Sequence, residues 1–183
     1  LEIEQYLQTR MRLGEIFGFK DPRTARLFPM WNAIFRKLNL RPIIVFCVRS
    51  PSQVARSLHA RDGLPLDIGE YRWLLYTVDS ARQLDRHTCV IDYDQWFADP
   101  LRTLDRLLDG LRGVVSVDRR SAAMAVEATI NAEYRHSDDH AAAARHPLLR
   151  CFYDLVRRPD RDDADVARIR QFVDQFQAFQ QIL

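Results

Sequence analysis

Six consecutive apolar residues, Ile43-Ile44-Val45-Phe46-Cys47-Val48, run into Arg49 and then Ser50-Pro51. A nearly unbroken run of this length, rich in β-branched residues, predicts a strand buried on both faces, as in a parallel sheet. Ser50 is a candidate N-cap and Pro51 suits the first position of a helix, so a helix is predicted from Pro51 to about Ala60. Ser57 lies two turns into that helix, with its hydroxyl on the side of Arg49. Strand ends that feed helix starts are where open α/β folds bind anions. A guanidinium and a hydroxyl at such a junction suit a phosphate monoester. The plainer alternative is an exposed arginine and a helix-surface serine.

The rest of the chain reads as alternating helix and strand. Residues 1–13 place Ile3, Leu7 and Met11 on one helical face, and Ile16 to Lys20 reads as a short strand ended by Asp21-Pro22. A helix through Leu27, Trp31, Ile34, Phe35 and Leu38 follows, with Pro29 inside it. Residues 68–86 read as a long amphipathic helix, Cys89 to Tyr93 as a third strand, and Pro100 to Leu111 as another helix. Residues 119–130 suggest a further helix, 132–146 carry no clear face, and Arg157 to Asp163 form a charged turn. A last helix carries Val166, Ile169, Phe172, Val173, Phe176 and Phe179 at helical spacing, a stripe that reads as a packing face. Strands separated by helices imply parallel pairing through right-handed crossovers. The expected architecture is therefore α/β: a parallel sheet flanked by helices over residues 1–115, with a mostly helical part over 116–183, in one domain.

At 183 residues the chain suits a single domain with a sizeable core, and 47% apolar with 28% charged residues describes an ordinary globular protein. A net charge of +2 is too small to argue for nucleic acid. No apolar stretch approaches the roughly 18 residues of a membrane span, and no signal peptide is visible, so a cytoplasmic setting is expected. A chain that opens on Leu1 is expected to be a fragment. The three cysteines have no metal-ligand spacing and read as buried thiols in a reducing compartment, with no metal implied. The positive charge is almost all arginine, the only lysines being Lys20 and Lys37. A lysine kept against that bias marks a place that uses a compact ammonium, or chance.

Three more segments carry chemistry. Gly18-Phe19-Lys20-Asp21-Pro22-Arg23 puts three charged side chains within four residues at a predicted strand end; the alternative is a solvated turn. Val90-Ile91-Asp92-Tyr93-Asp94-Gln95-Trp96-Phe97-Ala98-Asp99-Pro100 places Tyr93 at another strand end, where an aromatic face can stack on a base or pack under a helix. Asp92 and Asp94 read as capping or solvated carboxylates. Ile130-Asn131-Ala132-Glu133-Tyr134-Arg135-His136 offers a cation and an imidazole near its neutral-pH working range, or a polar loop.

In order and spacing, these four segments together resemble the PAPS-dependent sulfotransferases over roughly residues 16–137. In that family an arginine and a serine eight positions on clamp the 3′-phosphate of the nucleotide, which assigns that role to Arg49 and Ser57. The resemblance implies that Lys20 approaches the transferring sulfuryl group, that Arg23 faces the substrate cleft, and that Tyr93 lies near the adenine. It implies a further phosphate contact for Arg135 and an assisting role for His136 at the substrate. The implied fold is the P-loop-type sulfotransferase fold, and the implied cosubstrate is 3′-phosphoadenosine-5′-phosphosulfate (PAPS). The implied reaction moves a sulfuryl group to a hydroxyl or amine of a carbohydrate, lipid or small metabolite. The chain departs from the pattern at Pro22, where cytosolic members have a catalytic histidine, leaving Asp21 or a residue before Leu1 as the base. Trp96-Phe97, Thr129 and Tyr134 also replace usual residues. No Gly-rich loop for the 5′-phosphosulfate is present, so the fragment is expected to be inactive by itself. A degenerate, non-catalytic interaction module and a P-loop kinase of related architecture are the alternatives; a 3′-phosphate pocket separates the kinase, since ATP has no 3′-phosphate.

Overall fold

In a computed structural model, which describes residues 2–12, 16–130 and 144–182, helices dominate and only two strands form among these residues. In chain order the elements are α1 (Glu2–Arg12), α2 (Thr24–Lys37), β1 (Val45–Val48), α3 (Pro51–Asp62), α4 (Leu66–Ala81), β2 (Cys89–Asp92), α5 (Gln95–Ala98), α6 (Pro100–Gly110), α7 (Arg119–Thr129), α8 (Pro147–Val156) and α9 (Asp163–Gln180). β1 and β2 pair in parallel, Val45 opposite Cys89 and Val48 opposite Asp92, with α3 and α4 forming the crossover between them.

This corrects the expected parallel sheet flanked by helices. Residues 16–20 join no sheet. Phe17 and Phe19 alternate as strand residues would, but their rings continue an aromatic ladder instead. It runs Tyr6–Phe17–Phe19–Trp31–Phe35, with successive centroids 5.6, 5.9, 4.5 and 5.8 Å apart. Ring packing between α1 and α2 thus takes the place of a backbone partner. The apolar run is also less buried than its composition implied: Ile43 stays outside the strand and exposed, and Cys47 is exposed too, while every residue of β2 is buried. Cys47, Cys89 and Cys151 are free thiols, of which only Cys89 is buried. No helix among the described residues is long and apolar enough to cross a membrane.

The core lies between the sheet, α4, α8 and α9. Trp73, Leu74 and Val78 of α4 meet Val48, Val90, Phe152, Val156, Ile169 and Val173 there. Phe152 stacks on Phe172 at 4.0 Å, which fixes α8 against α9. Of the predicted stripe on α9, Val166, Ile169 and Val173 are buried, and Phe179 is exposed. The turn between α8 and α9 is held by Arg161, a buried side chain. Its Nη2 donates to the carbonyls of Asp85 (3.0 Å) and Thr88 (2.7 Å), just ahead of β2. The buried guanidinium needs acceptors, and these two main-chain carbonyls supply them.

α3 and α4 pack most closely at Gly69, where an added Cβ would stand 2.7 Å from the Ala55 Cα. α3 ends in a left-handed cap at Gly63, φ 68°, the conformation glycine adopts without penalty. In an open helix Gly→Ala gains up to about 1 kcal/mol. Here overpacking reverses the sign, and Gly69→Ala is expected to lose about 1–3 kcal/mol in urea unfolding. Gly18→Ala, with nothing within 4 Å of the new methyl, is the control and stays within about 0.5 kcal/mol. A Gly69→Ala variant as stable as the parent would remove this helix contact from the account.

Candidate anion-binding cleft

Arg49 follows β1 directly and is held from three sides. Its carbonyl accepts the indole N–H of Trp73 at 2.8 Å. Its guanidinium lies over the Tyr93 ring, Cζ 4.5 Å from the centroid, a cation–π contact that fixes the plane of the fork. Its Nε–H donates to Gln53 Oε1 at 3.0 Å. Gln53 in turn donates its Nε2 to Asp94 at 3.2 and 3.1 Å from the two carboxylate oxygens. The amide therefore stands between the cation and the nearest carboxylate. No described carboxylate pairs with Arg49, and its two terminal nitrogens remain available to a ligand.

Pro51 opens α3 as predicted. Ser50 makes no side-chain cap, because its hydroxyl hydrogen-bonds that of Ser52 at 2.9 Å. Positions 53, 56 and 57 share one side of α3, and Arg49 at the end of β1 opens onto the same cleft. They line a cleft of about 640 Å³ with His59 and Arg61. Ser57 is exposed there, on the same cleft as Arg49, so the structure brings the predicted pair together. Gln53 and Arg56 were not anticipated. The signal was their spacing of four and seven residues from Arg49, and Arg56 was lost among many arginines. A second cavity of about 380 Å³, at the other end of β2, mixes Arg86, Arg102 and Arg106 with Asp105 and Asp109, so it concentrates neither sign of charge.

The Lys20-Asp21-Pro22-Arg23 turn has a different character. Asp21 clasps Arg23: its Oδ1 accepts from the Arg23 backbone N–H at 2.7 Å, and its Oδ2 accepts from Nη2 at 2.6 Å. The hydrogen bonds from Arg23 hold the Asp21 carboxyl down at about 2. A carboxylate so acidic is a weak proton acceptor near neutrality. Arg23 is exposed but turned onto Asp21. Lys20 is exposed, and its charge is felt at β1: although Cys47 has an exposed surface, partial desolvation against its neighbours pushes the thiol up, and the Lys20 ammonium opposes that shift.

Tyr93 lies under Arg49 and edge-on to Phe97, centroids 5.2 Å apart. Asp92, read as a capping or solvated group, is buried instead. It accepts the Tyr153 hydroxyl at 3.0 Å, the Asp94 N–H at 3.1 Å and Arg157 Nη1 at 3.4 Å. Burial, with Asp92 beside it, pushes the Tyr153 phenol well up, so it serves as a donor rather than as a base. Arg135 and His136 lie outside the described residues. Among the described residues no group of three or more His, Cys, Asp or Glu side chains is placed to hold a metal ion.

The Asp21 clasp sets a pH signature. Its folded pKa is depressed, so its stabilisation is complete above the ordinary carboxylate range, near 4, and is lost as pH falls through about 2. The Asp21 carboxyl carbon is expected to titrate near 2 by NMR, and Arg23→Gln to return the midpoint toward about 3.9. A parent midpoint already near 3.9 would dissolve the clasp.

Compared with known protein families, with curated proteins and with solved structures, the chain matches none.

Proposed function

We propose that this chain binds the 3′-phosphate of PAPS through Arg49 and Ser57 and serves sulfuryl transfer to a hydroxyl or amine acceptor. The observation that carries this reading is Arg49 itself. It is a guanidinium fixed by Tyr93 and Gln53 at a strand end, without a described carboxylate partner, on a cleft that Ser57 also lines. A phosphate monoester supplies the double negative charge and the acceptor oxygens that such a fork lacks. The reading rests on the site and not on the fold, because function is set by the site a fold carries.

In the proposed reaction the acceptor heteroatom forms a bond to sulfur as the sulfur–oxygen bond to the 5′-phosphate breaks. Adenosine 3′,5′-bisphosphate leaves with that electron pair, and the acceptor loses its proton. By analogy with phosphoryl transfer, positioning and charge neutralisation do most of the work. Lys20 supplies a compact cation for the transferring group. Asp21, clasped by Arg23, is better suited to orienting that arginine than to taking the acceptor proton. The three free cysteines support a reducing, cytoplasmic setting.

The same clasp favours a second reading, nucleotide binding without transfer, since it occupies the carboxylate nearest to Lys20. Turnover separates the two. Measured in a full-length protein that supplies the 5′-phosphosulfate contacts, Lys20→Ala under the first reading lowers kcat about 100-fold or more with little change in nucleotide affinity; a full-length protein that binds the nucleotide and shows no turnover leaves the second.

Both readings require a 3′-phosphate preference. Calorimetric titration is expected to show adenosine 3′,5′-bisphosphate binding more tightly than 5′-AMP. Charge-assisted hydrogen bonds contribute about 1.5–3 kcal/mol each, so Arg49→Ala erodes that preference by about 10- to 150-fold. Ser57→Ala erodes it less, and neither change alters 5′-AMP binding much. Equal losses for both nucleotides would mean damage to the strand end and would sink the phosphate assignment.

A further inference from the structure

Arg56 lies in α3, seven residues beyond Arg49 and next to Ser57, and lines the same cleft as both. Its neighbour Ala55 is fully packed against α4 at Gly69, and Ser57 is open to solvent. Arg56 thus sits on the boundary between the helix interface and the cleft, which it lines together with Arg49. Its Nε and Nη2 are both shut off from water and bond nothing among the described residues. No described carboxylate pairs with it. Buried charged donors are almost always hydrogen-bonded, because an unmet N–H on a cation forfeits its hydration for nothing. Every other buried or half-buried cation described above has a partner: Arg49 has Gln53 and Tyr93, Arg157 has Asp92, and Arg161 has main-chain carbonyls. Arg56 is the exception, and it stands on the cleft where an anion is expected.

We infer that Arg56 is a second anion ligand of this cleft, whose guanidinium turns from its unpaired resting position to grip the phosphate held by Arg49 and Ser57. The inference rests on the proposed phosphate site and adds the residue that sets its charge selectivity. A terminal phosphate ester presents three oxygens and nearly two charges. The open nitrogens of Arg49 take one side, the Ser57 hydroxyl another, and the planar fork of Arg56 the third. Two guanidiniums without carboxylates match a dianion, so the cleft selects a phosphate monoester over a singly charged diester.

The test uses the 183-residue chain, with adenosine 3′,5′-bisphosphate, 5′-AMP and inorganic phosphate as probes, and Arg56→Met as the variant. Methionine keeps an unbranched stem and removes an unpaired buried cation. Its thermal midpoint is therefore expected to equal or exceed that of the parent, while affinity for the bisphosphate and for phosphate falls about 10-fold or more. Phosphate should raise the parent's midpoint and leave the variant's nearly unmoved. Affinity and stability moving in opposite directions is what a merely structural arginine cannot give. A lower midpoint with unchanged phosphate affinity would make Arg56 a packing residue and overturn the inference. If the parent prefers the bisphosphate and Arg56→Met preserves that preference, the inference falls alone. If the parent binds phosphate without preferring the bisphosphate and the variant loses it, Arg56 stands and the nucleotide reading falls. A parent that binds none of the probes refutes both.

Discussion

The indole N–H of Trp73 ends on the carbonyl of Arg49, and the arrangement of the cleft depends on that bond. Trp73 belongs to the core, packed edge-on against Phe152 and Tyr153, so the strand end is referenced to α8 through a rigid ring. α4 in turn sets α3 through the Gly69–Ala55 approach. The cations at the cleft therefore project from elements whose spacing is fixed by packing. Sites held in this way keep their geometry better than sites carried on loops.

Helices were legible where the apolar stripe was long and regular. α2, α4, α6 and α9 all lie close to their predicted spans, with α4 starting two residues earlier and ending at Ala81. α8 was not singled out, although Pro147, Leu149, Phe152 and Val156 give it a helical start and a helical face. It is ten residues long and follows a polar stretch with no signal of its own. The strand expected at 16–20 failed for a different reason. Alternation identifies residues that can share a face but not what they will face, and Phe17 and Phe19 found rings instead of a backbone. At the candidate cleft, the placement of Arg49 was legible because β1 ends at Val48 and α3 opens at Pro51, and that of Ser57 because it lies two turns into α3. Gln53 was not, since its role lies in reaching both Arg49 and Asp94, a contact across 41 residues that no local pattern encodes.

Asp92 and Asp94 show how far identical side chains two residues apart can diverge. β2 ends at Asp92, and the turn that follows carries Asp94 away from the face that strand alternation would assign it. Asp92 goes inward and gathers donors from α8, while Asp94 takes the Gln53 amide beside the cleft. One carboxylate ties the sheet to the C-terminal helices, and the other restrains the residue that orients Arg49. Placed on Arg49 directly, Asp94 would neutralise it. Acting through an amide, it steers the guanidinium without cancelling its charge.

The scarcity of lysine has a chemical consequence. Lys37 is bound to Glu4 at 3.0 Å, whereas Lys20 is exposed and has no ion pair among the described residues. The chain thus carries two side-chain amines, and the one at the turn ahead of α2 has no ion pair among the described residues. Besides an α-amino group, an amine-directed acylating reagent finds only these two lysines, of which Lys20 carries no described ion pair to slow it. It would deliver a spectroscopic label to the segment whose charge reaches Cys47 without altering the arginines that shape the cleft.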